Sequence, residues 1–128
     1  MCYICWTKFK TMSYKEKVTT MYNMVNSGQI LDAFEKYYHN DVVMQEMGEA
    51  ERVGKDANRE YEKNFVGSVK AINGGGVDAI TSDESNGVTM VESWMDITFQ
   101  NDARVKLEQV AVQYWKGDQI VKERFYHK

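Results

Sequence analysis

Two cysteines and two histidines are the residues of this chain best suited to metal or redox chemistry. Cys2 and Cys5 have the CxxC spacing found in redox and zinc sites. No second cysteine pair or nearby histidine accompanies them and no βαβ pattern follows, so we interpret them as dispensable thiols. His39 and His127 lie far apart in the sequence and lack HxxxH or HxH spacing. The sequence therefore predicts neither a metal site nor a cofactor.

Both histidines also have structural explanations. His39 follows a predicted helix, where it would hydrogen-bond the last carbonyl groups and suit the helix dipole. His127 is next to the last residue and is predicted to lie on a frayed strand end. The glycines at 74–76 do not indicate a phosphate-binding loop, because neither a Lys-Ser/Thr pair nor a helix follows them. Ser-His-Asp and Cys-His catalytic sets have no support either.

The composition is that of one soluble globular domain. The chain has 128 residues, 43% hydrophobic and 27% charged, which is enough to bury a single core. No apolar run approaches the roughly 20 residues that a membrane helix needs. The net charge is -3 and basic residues are interleaved with acidic ones, so neither nucleic acid nor a membrane is an expected partner. No signal peptide is recognisable, and we expect a cytoplasmic protein.

The first residues are predicted to lie outside the folded unit. Met12 is followed by Ser13 and Glu16, which form a capping-box pattern at the start of a helix. We therefore divide the chain into a loose N-terminal tail, residues 1–12, and a single domain, residues 13–128.

Hydrophobic periodicity predicts three helices and then four long strands. Helical repeats cover residues 14–26 and 30–38, and a third places Ala57, Tyr61 and Phe65 on one face. A short β-rich run, residues 42–47, lies between the second and third helices. The long strands are predicted at residues 69–82, 88–99, 103–115 and 119–126, with glycines 74–76 bending the first.

Both faces of these strands carry apolar side chains. In the second long strand, Val91 and Ile97 lie on one face, and Met90 and Trp94 lie on the other. A sheet with one solvated face alternates more cleanly than this. We therefore expect one face to pack on the helices and the outer face to form a two-fold symmetric homodimer.

Several turn and packing motifs lie within residues 13–127: Asn26-Ser27-Gly28, Tyr38 to Val42, Val53-Gly54-Lys55-Asp56, and Gln109 to Arg124. With the order of elements, they resemble the SnoaL-like and ketosteroid isomerase-like branch of the nuclear transport factor 2-like superfamily. The resemblance implies an α+β, cystatin-like cone, in which three N-terminal helices pack in a strongly curved antiparallel or mixed sheet and enclose a pocket. These motifs specify a fold rather than a chemistry.

The resemblance implies one catalytic candidate, Glu46. In the isomerases of this superfamily the general-base carboxylate lies at the end of the short strand, which corresponds to Glu46. This residue shares its parity with Val42 and Met44, so burial would raise its pKa toward that of a useful base. The alternative is structural, with Glu46 in an ion pair with an arginine (Arg52 or Arg59) or at a solvated strand end.

The oxyanion-stabilising groups of those isomerases are not matched. The tyrosine of their first helix corresponds to Met21, next to Tyr22, and the acid of their third long strand falls near Ala111 or Gln113. Losing one such donor costs on the order of 3 to 4 kcal/mol of transition-state stabilisation. Steroid isomerisation is therefore not expected. The polyketide cyclases of the SnoaL group also use an acid–base residue in the cone, a role that Glu46 could fill.

Aromatic and amide side chains are candidates to line the pocket. Tyr61, Trp94 and Trp115 would supply flat apolar walls with a polar edge, although core or dimer packing explains them equally well. Gln109 and Gln113 share parity with Trp115 and would supply hydrogen bonds. The full set of predicted ligand-binding residues is Tyr22, Met44, Tyr61, Trp94, Gln109, Gln113 and Trp115.

Three functions remain open at this point. The first is binding of a small, largely apolar molecule in the conical cavity. The second is acid–base catalysis of the isomerase, cyclase or lyase type, with Glu46 transferring a proton on an enolisable substrate. The third is a dimerisation or scaffold domain without a ligand, which predicts a cone filled by side chains.

Overall fold

Three α-helices occupy the first half of the chain. The computed structural model describes residues 11–127, and its helices are α1 (Tyr14–Asn26), α2 (Ile30–Tyr37) and α3 (Lys55–Ser68). α1 begins at the predicted capping box, in which the Glu16 N–H donates to Ser13 Oγ and the Ser13 N–H donates to the Glu16 carboxylate. No helix in this part of the chain has both the length and the apolar character needed to cross a bilayer.

Six strands follow or separate these helices and form one mixed sheet within the described residues. They are β1 (Tyr38–Glu46), β2 (Arg52–Val53), β3 (Val69–Asp83), β4 (Val88–Phe99), β5 (Arg104–Lys116) and β6 (Gln119–His127). Their order across the sheet is β2-β1-β6-β5-β4-β3. β1 and β6 run parallel, and the other neighbours are antiparallel. The predicted α+β fold is confirmed.

Strand β3 is irregular where the glycines are predicted to bend it. Its pairing with β4 shifts register between Ile72 and Gly74. Gly76 lies directly under Trp94, because a Cβ atom at this position would come within 2.9 Å of the indole Nε1. The glycines therefore both permit the bend and leave room for the Trp94 ring.

The hydrophobic core lies between the helices and the inner face of the sheet. Val18 of α1, Val42 of β1, Val91 of β4 and Ile120 of β6 are fully buried there. On the outer face, Met90 is 44% exposed beside its cross-strand partner Val112. The outer face is thus partly apolar, and the homodimer through it stays a prediction.

Some details of the predicted elements are wrong. α2 ends at Tyr37, so His39 lies in β1 and accepts a hydrogen bond from the Asp41 N–H at 3.0 Å instead of capping a helix. The buried face of α3 is centred on Asn58, whereas Tyr61 is 37% exposed. The Asn58 amide donates to the backbone carbonyls of Arg52 in β2 at 3.0 Å and of Gly54, just before the helix, at 2.8 Å. Hydrophobic periodicity could not reveal a helix face that is anchored by a polar side chain.

Candidate functional site

A cavity of about 540 Å³ lies between the helices and the inner face of the sheet. α1, α2 and α3 form one side, and β1, β4, β5 and β6 form the other. The walls are largely apolar and include Met21, Phe34, Phe65, Trp94, Leu107 and Phe125. The lining also contains polar and charged side chains, and cavities that bind small molecules commonly combine apolar walls with such groups.

Two buried polar residues of this lining are Tyr38 and Glu123, which we call the acid pair. Tyr38 is the first residue of β1, and Glu123 lies near the middle of the neighbouring strand β6. Tyr38 is 7% exposed and Glu123 is 1% exposed. The Tyr38 hydroxyl donates a hydrogen bond to Glu123 Oε1. The parallel pairing of β1 with β6 therefore brings the two groups together.

A chain of buried hydrogen bonds continues from the acid pair into the sheet. Gln113 Nε2 donates to Glu123 Oε2 at 2.7 Å. Thr89 Oγ1 donates to Gln113 Oε1 at 2.7 Å, and Trp115 Nε1 donates to Thr89 Oγ1 at 2.9 Å. We call Trp115, Thr89 and Gln113 the donor chain. All three are buried, so their polar groups depend on one another rather than on water.

Burial raises the pKa of Glu123 to about 8. Hydrogen bonds from Tyr38 and Gln113 oppose this shift, and the nearby carboxylates of Glu62 and Glu46 add to it. The carboxyl group is therefore mainly neutral at pH 7. A neutral carboxylic acid, unlike a carboxylate, can donate a hydrogen bond.

The phenol groups beside Glu123 also keep their protons. Burial is the main reason that the pKa of Tyr22 and that of Tyr38 are raised, and the charge of Glu123 adds to both shifts. Hydrogen bonds with Gln113 and Ser93 oppose the shift at Tyr22. The buried part of the cavity lining thus contains hydroxyl and carboxyl groups that hold protons.

Glu46 lies at the end of β1, with its side chain 15% exposed. Arg52 Nη2 is 3.7 Å from Glu46 Oε1, and His127 Nε2 is 3.4 Å from Glu46 Oε2. Burial raises the pKa of Glu46, while Arg52 and His127 lower it. Glu46 thus lines the cavity as a catalytic group should, and it also forms the ion pair with Arg52 that the structural alternative describes. Arg59 contacts Glu35 and Asp56 instead.

Arg52 is held in place from two sides. Its guanidinium group lies 3.6 Å from the centroid of the Tyr61 ring, and its Nε donates to Asn58 Oδ1 at 3.1 Å. Its Nη2 is buried and has no hydrogen-bond partner among the described residues. A positive donor fixed beside Glu46 favours the ionised form of that carboxylate.

Glu62 of α3 is a third carboxyl group in the cavity lining. Burial raises its pKa to about 7; Arg52 opposes the shift and Glu46 adds to it. Three carboxyl groups, Glu46, Glu62 and Glu123, therefore interact within one cavity, and burial raises the pKa of each.

The predicted ligand-binding residues fall into two groups. Five of the predicted site residues line the cavity, and three are buried behind the lining in the core. The lining residues are Glu46, Tyr22, Tyr61, Trp94 and Gln109; the residues behind it are Met44, Gln113 and Trp115. His127, which was predicted to be frayed, lies in β6 beside Glu46. No three His, Cys, Asp or Glu side chains within residues 11–127 are placed to hold a metal ion.

Sequence reasoning missed Tyr38, Glu62 and Glu123. Glu123 is two residues before Phe125 and shares its side of β6, so its parity was a signal that the side chain points inward. Glu62 follows the buried Asn58 by one helical turn. Tyr38 gave no separate signal, because it continues the apolar repeat of α2.

Comparisons with known proteins agree with this architecture. The SnoaL-like domain family matches residues 8–127. No curated protein sequence matches the chain. Solved structures are similar to this chain over most of its length. The three named below are less than 25% identical to it in sequence, so they show a similar fold and nothing further.

Three of these structures serve as examples. A candidate SnoaL-like polyketide cyclase from Mesorhizobium loti is 24% identical, with 90% of this chain and 99% of that one covered and a TM-score of 0.75. SalBIII, described as an epoxide hydrolase/cyclase-like enzyme in pyran ring formation of salinomycin, is 21% identical, with 90% of both chains covered and a TM-score of 0.75. An uncharacterised cystatin-fold protein from Novosphingobium aromaticivorans is 16% identical, with 91% of this chain and 99% of that one covered and a TM-score of 0.73.

Proposed function

This chain belongs to the SnoaL-like domain family, and on that premise we propose that it binds a small, largely apolar molecule in its cavity and catalyses proton transfer on it. The observation that carries the proposal is the acid pair, a neutral carboxylic acid and a phenol that line an apolar cavity of about 540 Å³. A scaffold role predicts a filled cone, so a cavity of this size gives it less support.

The binding half of the proposal rests on the shape and polarity of the cavity. Its apolar walls would hold a hydrophobic frame of one or two rings, since burial of apolar surface contributes about 25 cal/mol per Å². The acid pair and Tyr22 would then receive the polar atom of the ligand, because a polar atom buried without a partner costs about 1 to 3 kcal/mol.

The catalytic half rests on the different surroundings of two carboxyl groups. Glu46 lies beside Arg52 and His127, whereas burial is the main influence on Glu123. Carboxyl groups whose surroundings push their pKa values apart are suited to separate acid and base roles. With a carbonyl oxygen at the acid pair, Glu46 would remove a proton from the adjacent carbon. The C–H electrons would form the enolate, whose oxygen is stabilised by hydrogen bonds from the neutral acid and the phenol.

A second candidate reaction uses the same donors. Opening or closing of an oxygen-containing ring also requires a hydrogen-bond donor at the ring oxygen and a base for the attacking hydroxyl group. The acid pair and Glu46 could fill these roles, and SalBIII is described as an epoxide hydrolase/cyclase-like enzyme.

Exchange of hydrogen for deuterium tests the proposal without knowledge of the natural substrate. A ketone with a bicyclic apolar frame, α-tetralone, is incubated with the protein in D₂O, and loss of its α-proton signal is followed by NMR. We expect the protein to accelerate exchange, and Glu46→Gln to slow it by about 100-fold or more, the contribution typical of a general base. Glu60→Gln, at an exposed position of α3, is the control.

The possible results of this experiment distinguish the binding half of the proposal from the catalytic half. Binding of α-tetralone without faster exchange would contradict the catalytic half and leave the binding half. The whole proposal fails if α-tetralone and its hydrocarbon counterpart tetralin both fail to bind.

A further inference from the structure

We propose that Glu62 forms a binding site for an ammonium group, so that the molecule held in the cavity is a small hydrophobic amine. This inference rests on the proposed function, because it assumes that the cavity binds a ligand. It names the chemical class of that ligand and gives a role to a carboxyl group that the proposed proton transfer does not use.

Glu62 lies on the side of α3 that meets the cavity. Asn58 comes one helical turn before it and Phe65 about one turn after it, so the three side chains share one side of the helix. Asn58 is fully buried, and its hydrogen bonds to the carbonyls of Arg52 and Gly54 fix this side against the preceding residues. Glu62 and Phe65 are thereby held in the cavity lining.

Glu62 differs from the other acidic residues of the lining in having no partner. Three of the other glutamates have an ion pair or a hydrogen bond with another side chain, and a fourth is exposed to solvent. The three are Glu46, Glu108 and Glu123, and the fourth is Glu49. Glu62 is partly buried, and no hydrogen bond or ion pair joins its carboxyl group to any residue within 11–127.

The carboxyl oxygens of Glu62 are open to the cavity. In the described part of the chain, the side-chain atoms that are fully buried without a hydrogen-bond partner are Arg52 Nη2 and Arg124 Nε. The Glu62 oxygens also lack a partner, so they are not sealed inside the packing and instead face the space that the residue lines. A donor on a ligand can therefore reach them, and a charged N–H donor forms the stronger hydrogen bond with a carboxylate.

The charges around Glu62 favour a cation. Its charged neighbours are Arg52 of β2 and Glu46 of β1. Arg52 forms its ion pair with Glu46, lies on the Tyr61 ring and donates to Asn58. When both carboxyl groups are ionised, these neighbours and Glu62 carry two negative charges and one positive charge. An ammonium group would balance the remaining negative charge, whereas a carboxylate on the ligand would add to it.

The basic residues of the cavity lining do not balance the charge of Glu62. Lys106 lies 3.5 Å from Glu108, measured from Nζ to Oε1. His127 lies 3.4 Å from Glu46, measured from Nε2 to Oε2. Both are thus placed beside other carboxyl groups, and the site at Glu62 is left to a cation from the ligand.

The remaining titratable groups near Glu62 carry no positive charge. Its charge acts on Tyr22 of α1, Tyr38 of β1 and Glu123 of β6, and also on Tyr61 of its own helix. The pKa of each of these groups is raised, mainly by burial, so each keeps its proton more strongly than in water. The aromatic rings of the cavity walls are also compatible with a cation, since ring faces attract ammonium groups.

Three probes with one bicyclic frame test this inference. α-Aminotetralin carries an ammonium group, tetralin carries no charge, and tetralin-1-carboxylate carries a negative charge. Their dissociation constants are measured by NMR titration at about pH 8, where Glu62 is mainly ionised. We expect the amine to bind roughly tenfold or more tightly than tetralin, the ratio typical of a charge-assisted hydrogen bond, and the carboxylate to bind more weakly than tetralin.

A matched pair of variants tests whether Glu62 is responsible. Glu62→Gln and Glu60→Gln each remove one negative charge from α3, but Glu62 lines the cavity and Glu60 is exposed. Glu62→Gln should lower the ratio of the amine and tetralin affinities to about one, and Glu60→Gln should retain it. An unchanged ratio in Glu62→Gln overturns the assignment of the site to this residue.

The wild-type protein provides a second measurement that needs no variant. Burial raises the pKa of Glu62 to about 7, so this carboxyl group ionises between about pH 6 and pH 8. The amine stays protonated over this range, and its affinity relative to tetralin should increase as the pH rises. A ratio that stays constant over this range overturns the inference.

Failure of this inference can be told apart from failure of the proposed function. Binding of tetralin with no preference for the amine overturns the inference and leaves the binding proposal in place. If none of the three probes binds and α-tetralone also fails to bind, both the inference and the proposed function are overturned.

Discussion

Raising the pH should destabilise the protein through Glu123, and the size of the effect follows from its burial. This carboxyl group is 1% exposed, and burial raises its pKa from 4.5 to about 8. The folded state therefore binds the proton more tightly than the unfolded chain does. The stabilisation is fully present below pH 4.5 and is lost as the pH rises to about 8. Since one pH unit corresponds to about 1.36 kcal/mol, the full loss is about 5 kcal/mol.

Urea denaturation followed by tryptophan fluorescence measures this loss. The free energy of unfolding is determined for the wild type and for Glu123→Gln at about pH 5, 7 and 9. The variant lacks the ionisable group, so its stability relative to the wild type should increase steadily with pH. If the substitution also disturbs packing, the resulting loss of stability is the same at every pH and does not alter the change with pH. The control Glu60→Gln should show the same dependence of stability on pH as the wild type. A difference between Glu123→Gln and the wild type that stays constant from about pH 5 to pH 9 would refute the reasoning.

Three further predictions concern the rest of the domain. Gly76→Ala should lower the free energy of unfolding by about 1 to 3 kcal/mol, because the added Cβ atom would meet the Trp94 ring. The control Gly67→Ala, in α3 with open space around the new Cβ atom, should be neutral or stabilising by up to about 1 kcal/mol. Chemical denaturation measures both values. Light scattering of the wild-type protein at micromolar concentration should give twice the mass of the chain. Met90→Lys, which places a charge on the exposed outer face of the sheet, should give the mass of a monomer. A monomeric wild type would contradict the predicted dimer. Deletion of residues 1–11 should leave the melting temperature nearly unchanged, and a drop of several degrees would show that the tail packs.

Much of the fold could be predicted from the sequence because its elements have strong local signals. The capping box at Ser13 and Glu16 located the start of α1, and the polar turns located β4 and β6 to within a residue. The boundary between α2 and β1 could not be located in this way. Tyr38 continues the helical apolar repeat, and only pairing with β6 draws it into the sheet. Residues 1–10, including both cysteines, lie outside the described part of the chain.

The candidate site was less predictable, because its polar residues come from distant parts of the sequence. Glu46 was found through the family resemblance, and it lines the cavity. Glu123 was not found, since its chemistry depends on Tyr38, which is 85 positions away, and on Gln113 in the adjacent strand. No local pattern reports such a contact. In the proposed function, Tyr38 and Glu123 would supply the hydrogen-bond donors that the sequence does not place at Met21 or Ala111.

The parallel pairing of β1 with β6 also has a consequence for folding kinetics. Strands β3 to β6 form a meander whose contacts are local, whereas β1 pairs with the last strand in chain order. Contacts between such distant segments form slowly, because a long loop must be closed first. The acid pair bridges these two strands, so a binding-competent cavity should appear only in the last folding step. Probe binding during refolding should therefore lag behind the formation of strand structure.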